Sequence, residues 1–153
     1  MTGIMKVLVP LFLLMFLVIC ASAQTKNSVP IPVTPIQKLV ETEQAFARFA
    51  EEKGTKAAFL EYFADDGIVF QPTETNGKLF WKNRPESTAW LNWSPAWADL
   101  SSDGNLGYTT GGWSLHPNGK TDKAAAFGEY LTIWKRQPDG NFKAVLDIGI
   151  WHK

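Results

Sequence analysis

Apolar and aromatic residues in the second half of the chain occur in short runs that are separated by polar segments. Three of these segments contain Asp-Gly or Asn-Gly, the dipeptides that favour tight hairpin turns. Runs of this length, rich in β-branched and aromatic residues, are typical of strands. The pattern therefore predicts an antiparallel meander of four strands, over residues 96–100, 106–115, 125–136 and 142–151.

The first half of the chain instead repeats its apolar residues at helical spacing. Between 36 and 50 they recur every three or four positions, which predicts an amphipathic helix. Thr34 has the side chain of a helix N-cap, and Pro35 after it fits the first helical position. Gly54 is placed to end the helix, because glycine readily adopts the backbone conformation of a C-cap.

Three shorter elements are predicted between this helix and the meander. A second helix begins at Thr55, a strand covers 68–71, and a third helix begins at Pro85, with a loop over 73–77. Helices that precede a run of strands are typical of an α+β fold, in which the helices cover one face of the sheet. The predicted order is α-α-β-α-β-β-β-β, with three N-terminal helices packed on a curved antiparallel sheet.

The first 23 residues have the composition of a secretory signal peptide. Lys6 is their only charged residue, residues 7–19 are apolar, and an Ala-Ser-Ala sequence ending at Ala23 provides a cleavage site. The apolar run is shorter than the roughly 20 residues that a membrane-spanning helix requires. We therefore expect a signal peptide over 1–23 and a secreted or periplasmic mature protein.

Cleavage after Ala23 leaves an extended, proline-rich leader over 24–35 and a single domain over 36–153. The mature chain then lacks cysteine, which excludes disulfide bonds and thiol chemistry. A lipid anchor on Cys20 is the alternative, but it requires a small residue before the cysteine, and Ile19 stands there. The sequence thus favours a mature chain with no membrane attachment.

Charge and composition exclude several classes of function. The chain has 15 Lys and Arg against 15 Asp and Glu and no basic cluster, so nucleic acid is not an expected partner. The two histidines, His116 and His152, lack the spacing of metal ligands. No glycine-rich phosphate loop is present, and no metal or cofactor is expected. Arg84 is either a surface arginine or the partner of an acidic ligand.

Three carboxyl groups at unfavourable positions are the candidate catalytic groups. Glu43 falls inside the apolar stripe of the first helix. Either burial raises the pKa of this carboxyl, or the carboxyl has a structural role and is held by a hydrogen bond within the fold. Glu129 and Asp147 lie in two neighbouring predicted strands, in which acidic residues are disfavoured. Two carboxyls there suit general acid–base catalysis, and the alternative for each is exposure or a hydrogen bond within the fold.

The chain also contains seven tryptophans. Core packing is the simpler interpretation, and an aromatic-walled ligand pocket is the alternative. On the second interpretation the candidate ligand-binding residues are Tyr62, Tyr108, Trp113 and Trp134. The strand over 125–136 is partly apolar on both faces, so one face needs a cover other than the helices. We expect a homodimer through the sheet.

A resemblance to a known superfamily rests on the order of elements and on segments 43–47, 57–60, 91–95, 101–111 and 134–149. They resemble the nuclear-transport-factor-2-like (NTF2-like, SnoaL-like) superfamily, and within it a group of secreted bacterial proteins. The resemblance implies a cone-shaped, cystatin-like half-barrel with a pocket between sheet and helices, often in a dimer. Ketosteroid isomerases share this fold, but their catalytic tyrosine and two aspartates find no match here, so no mechanism is transferred.

Three functions fit these observations. The first is a secreted protein that binds a small apolar or aromatic molecule in an aromatic-lined pocket. The second is a cofactor-free isomerase, cyclase or hydrolase that uses the pocket carboxyls. The third is a structural, dimeric interaction module whose pocket is filled by its own tryptophans. An open pocket with one polar anchor favours the first, two converging carboxyls favour the second, and a closed pocket favours the third.

Overall fold

The computed structural model describes residues 33–152, so the predicted signal peptide and most of the predicted leader lie outside the described residues. None of the helices in this part of the chain has the length and apolar character that crossing a membrane requires. The helices are α1 Pro35–Lys53, α2 Thr55–Tyr62 and α3 Gly77–Asn83. The strands are β1 Phe63–Phe70, β2 Glu74–Asn76, β3 Trp90–Trp93, β4 Trp97–Leu100, β5 Leu106–His116, β6 Ala126–Arg136 and β7 Phe142–Trp151.

The strands form one curved, unclosed sheet in the order β2-β1-β7-β6-β5-β3, with β4 also paired to β5. The predicted α+β class and cone-like half-barrel are confirmed. The sheet is mixed rather than antiparallel, because β1 runs parallel to β7. No hairpin joins these two strands, which lie far apart in the sequence, so no tight turn imposes antiparallel pairing on them.

The predicted start and end of α1 are confirmed. The Thr34 hydroxyl accepts from the Gln37 amide at 3.3 Å, and the Gln37 side chain accepts from the Thr34 amide at 2.8 Å. This reciprocal pair is a capping box. At the other end Gly54 has a φ of 91°, a conformation that other residues rarely adopt.

The predicted third helix is wrong in position. Helix α3 begins eight residues earlier, at Gly77, where the Asn76 side chain accepts from the Leu79 amide at 2.8 Å and caps it. Asn76 ends β2, which occupies the predicted loop. The stretch after Pro85 is not the expected helix but leads into β3, which pairs with the end of β5. An asparagine N-cap before Leu79 is the signal that the sequence offers for the true position.

The inner face of the sheet packs against α1 around Phe46. Its ring lies 4.9 Å from those of Phe59 and Trp93 and 6.0 Å from that of Trp134, in edge-to-face contacts. Strand register places Thr109, Thr132 and Asp147 side by side on this face, on β5, β6 and β7. The core thus carries a polar row directly beside its aromatic cluster.

Candidate functional site

A cavity of about 230 Å³ lies between the inner face of the sheet and the helices. Its walls are largely aromatic, and its polar atoms are few. The lining residues are Phe46, Phe59, Gln71, Phe80, Trp81, Arg84, Leu91, Trp93, Trp113, Leu115, Tyr130, Asp147, Gly149 and Trp151. An apolar cavity with a few polar groups is the usual form of a small-molecule site.

Asp147 is the one carboxyl among the residues that line this cavity. It stands on β7 opposite Thr132 of β6, whose hydroxyl donates to Oδ2 at 2.9 Å. Burial raises the pKa of Asp147 to about 7; the Thr132 hydrogen bond opposes this rise and the nearby Glu43 charge adds to it. At neutral pH this side chain can therefore both accept and donate a proton.

The pKa of Asp147 predicts how stability depends on pH. Because the folded pKa of about 7 lies above the ordinary value of 3.8, the folded state holds the extra proton between these values, and stability falls as pH rises through them. Asp147→Asn removes this loss. We expect the variant to gain about 3 kcal/mol relative to the wild type between about pH 5 and about pH 8, measured by urea unfolding. A difference that stays constant with pH would contradict the raised pKa.

Tyr130 also lines the cavity, but its hydroxyl oxygen is fully buried. Tyr130 lies on β6 opposite Gly149 of β7, on the same face of the sheet as Asp147. Its hydroxyl lies beside that of Thr109. Burial, together with the charges of Glu43 and Asp147, raises its pKa, so the hydroxyl keeps its proton. Because the oxygen is not accessible from the cavity, Tyr130 offers a ligand its ring and not its hydroxyl.

Glu43 lies in the core, where its carboxyl is fully buried and accepts three hydrogen bonds. Trp93 Nε1 donates to Oε1 at 2.6 Å, Trp134 Nε1 donates to Oε2 at 3.1 Å, and the Thr109 hydroxyl also donates to Oε2. Burial raises the pKa of Glu43, and the three donors oppose that rise. With its oxygens engaged and outside the cavity wall, Glu43 has the geometry of a structural carboxyl that joins α1 to β3, β5 and β6.

The other predicted carboxyl, Glu129, lies on the outer face of the sheet. It is exposed and shares a hydrogen bond with His152 Nε2. Tyr130 and Asp147 lie on the inner face of the sheet. Glu129 is next to Tyr130 in the sequence and side chains alternate along a strand, so Glu129 points to the outer face. Tyr108 also lies on the outer face, opposite Ile133 and 39% exposed. The structure therefore brings neither residue to the cavity.

Three aromatic candidates occupy different places on the inner side. Trp113 lines the cavity, and its Nε1 donates to the Glu129 carbonyl at 2.9 Å. Trp134 is fully buried beside Glu43 and is not a lining residue. Tyr62 stacks on Phe46 at 5.0 Å outside the cavity wall. Of the four predicted ligand-binding residues, the structure places Trp113 alone at the cavity.

Sequence reasoning missed several lining residues, above all Tyr130, Trp81 and Trp151. For Tyr130 the signal was present: it alternates with Thr132 along β6, on the face that the helices cover. Trp81 was missed together with α3, whose position was wrongly predicted. Among residues 33–152 no group of three or more His, Cys, Asp or Glu side chains has the arrangement of a metal site.

Several solved structures of low sequence identity share this fold. An NTF2-like protein with a cystatin-like fold from Novosphingobium aromaticivorans has a TM-score of 0.57 at 13% identity, over 74% of this chain and 79% of that one. Delta 5-3-ketosteroid isomerase from Mycobacterium sp. has a TM-score of 0.53 at 16% identity, over 78% of this chain and 95% of that one. A computationally designed 17-OHP binder has a TM-score of 0.54 at 12% identity, over 75% of this chain and 93% of that one.

At these identities the likeness establishes the fold. The chain folds like NTF2-like proteins, so the resemblance predicted from its segments is confirmed at that level. Its place among the secreted members stays a prediction. No protein-family model matches the chain, and none of the curated proteins matches it.

Proposed function

We propose that this protein binds a small apolar or aromatic molecule in the cavity between sheet and helices. The observation that carries the proposal is the pairing of aromatic walls with a single carboxyl, that of Asp147. The walls provide apolar contact, and the carboxyl fixes the ligand's orientation. This is the combination expected of a pocket with a polar anchor.

The volume of the cavity limits the size of the ligand. A cavity of about 150 Å³ lined by apolar side chains accommodates benzene. The present cavity of about 230 Å³ is larger by the space of a short substituent. We therefore infer that the ligand is a single ring with one or two small groups, or an apolar molecule of similar size. The same volume weighs against a pocket that is filled by its own tryptophans.

A cavity-filling substitution tests the proposal. A side chain at Gly149 would point into the cavity. The nearest atom to its Cβ would be the Trp113 indole nitrogen, at 3.5 Å. We expect Gly149→Leu to fold and to lose binding of small aromatic compounds, as detected by ligand-observed NMR. Gly112→Leu is the matched control, because Gly112 lies opposite Glu129 on the outer face. The proposal would be contradicted if the same compounds still bound to Gly149→Leu. It would also be contradicted if no compound bound to the wild type.

A second candidate function is a cofactor-free enzyme that acts on such a molecule, with Asp147 as general acid–base. The raised pKa of Asp147 favours it, because proton transfer is most effective when the pKa lies near the working pH. The separation of the carboxyls weighs against it, since Glu43 is sealed in the core and Glu129 lies outside the cavity. Catalysis would then depend on Asp147 alone, and Asp147→Asn would abolish turnover while the ligand still bound.

We further propose that the mature protein is secreted or periplasmic and that two copies pair through the outer face of the sheet. That face exposes Ile150 at 59% and Phe127 at 55%, with Tyr108 and Trp97 nearby. Apolar residues concentrated on one face of a sheet favour a self-complementary contact. Light scattering at tens of micromolar is expected to give the mass of a dimer, and a monomer would contradict this part of the proposal.

A further inference from the structure

We propose that the ligand carries an anionic group, of which a carboxylate is the simplest case, and that Arg84 binds it at the mouth of the cavity. The inference rests on the proposed function and narrows the ligand to an aromatic acid. It depends on three features: the place of Arg84, its lack of a carboxylate partner, and the polarity of the other residues that line the cavity.

Arg84 directly follows α3 and lines the cavity next to Phe80 and Trp81. Its guanidinium lies over both rings, 5.0 Å from the centroid of Phe80 and 5.4 Å from that of Trp81. Such cation–π contacts hold the side chain in place while leaving its N–H groups free at the edge of the plane. Its backbone is also tied down, since Lys56 Nζ donates to the Arg84 carbonyl at 2.8 Å.

The guanidinium forms no ion pair or hydrogen bond with any of the described residues. The carboxylate of Glu86 is nearby in sequence, but it pairs with Lys56 at 3.0 Å. Arg84 also lines a smaller pocket of about 120 Å³ that adjoins the main cavity and shares Trp81 and Leu91 with it. The mouth therefore holds a fixed, uncompensated positive charge with free donors, which suits a planar carboxylate.

Arg84 is the one cation among the residues that line the cavity. Asp147 is the one carboxyl there, and it already accepts from the Thr132 hydroxyl. This group suits a neutral polar substituent, such as a hydroxyl or carbonyl, and not an anion. The aromatic walls leave room for one ring. An aromatic acid with a neutral polar group elsewhere on the ring matches this pair of groups.

The test compares two probes of the same shape, the anionic 4-hydroxyphenylacetate and the neutral 4-hydroxyphenylacetamide, by NMR titration at one pH near neutrality. We expect the wild type to bind the acid about tenfold more tightly than the amide. Arg84→Gln is expected to remove this ratio, because it weakens binding of the acid much more than binding of the amide. Lys82→Gln, which removes one exposed positive charge from the end of the same helix, is expected to keep the ratio.

The outcomes separate this inference from the proposed function. Equal binding of acid and amide by the wild type, or a ratio that survives in Arg84→Gln, overturns the role of Arg84 and leaves a neutral-ligand pocket. If Lys82→Gln loses the preference for the acid as fully as Arg84→Gln does, the role of Arg84 is also overturned. The preference would then come from the positive charge of this surface as a whole and not from a contact with Arg84. Binding of neither probe, together with no binder to the wild type in the aromatic screen, overturns the proposed function itself.

Discussion

Glu43→Ala is expected to destabilise the protein by about 3–5 kcal/mol, because it removes the acceptor at the centre of a buried hydrogen-bond network. The carboxyl is fully buried and accepts from Trp93 Nε1 at 2.6 Å and Trp134 Nε1 at 3.1 Å, as well as from the Thr109 hydroxyl. Its removal leaves Trp93 Nε1 and the Thr109 hydroxyl without this acceptor, while Trp134 Nε1 still donates to Thr109 Oγ1 at 2.8 Å. Each buried donor left without an acceptor costs about 1–3 kcal/mol. Urea unfolding followed by tryptophan fluorescence measures the loss.

Two further variants isolate the cause of that loss. Glu43→Gln keeps the shape and one acceptor oxygen, so we expect it to lose less than half as much stability as Glu43→Ala. Glu41→Ala removes an exposed carboxylate from the same helix and is expected to change stability by less than about 0.5 kcal/mol. If Glu43→Ala were as mild as Glu41→Ala, the three hydrogen bonds would not stabilise the fold. Glu43 would then be available for another role.

Gly111→Ala is expected to cost about 3 kcal/mol, because the backbone of another segment occupies the place of a side chain. A Cβ at Gly111 would lie 2.1 Å from the Ser94 carbonyl oxygen and 2.9 Å from the Ala96 amide nitrogen. These residues belong to the link between β3 and β4, which runs alongside β5 here and donates from the Ser94 and Ala96 amides to the Gly112 and Thr110 carbonyls. An alanine would displace the link and with it Trp93, which lines the cavity.

The neighbouring glycine supplies a matched control for this prediction. A Cβ at Gly112 would meet no atom closer than 3.9 Å, and we expect Gly112→Ala to change stability by less than about 1 kcal/mol. Thermal unfolding of the two variants side by side measures the difference. Equal melting temperatures would show that the link can move away from β5 at little cost, which contradicts tight packing of the two segments.

Sequence patterns predicted the meander and the first helix well, because both depend on local signals. The strands and turns after Leu106 follow from alternation and from Asp-Gly or Asn-Gly turns, and α1 from its capping residues Thr34 and Gly54. The parallel pairing of β1 with β7 was not predictable, since it joins segments far apart in the sequence. Helix α3 was misplaced because its cap, Asn76, was interpreted as part of a loop.

The site was less predictable than the fold. Glu43 and Asp147 were both identified as unusual carboxyls, but the sequence does not indicate which has its oxygens occupied. That difference depends on Trp93 and Trp134, which reach Glu43 across 50 and 91 residues of sequence. Glu129 was grouped with Asp147 because the sequence predicts that they lie on neighbouring strands but does not fix which residues lie opposite each other. A shift of one position in this pairing moves a side chain to the other face of the sheet.

Whether the cavity between sheet and helices is a ligand site is decided by a crystal structure of the protein with the strongest aromatic binder from the NMR screen. We expect density for one ring between Trp113 and Trp81, with a polar substituent in contact with Asp147. Density confined to the outer face of the sheet, or beside Tyr108 and Leu100, would contradict a ligand site in the cavity.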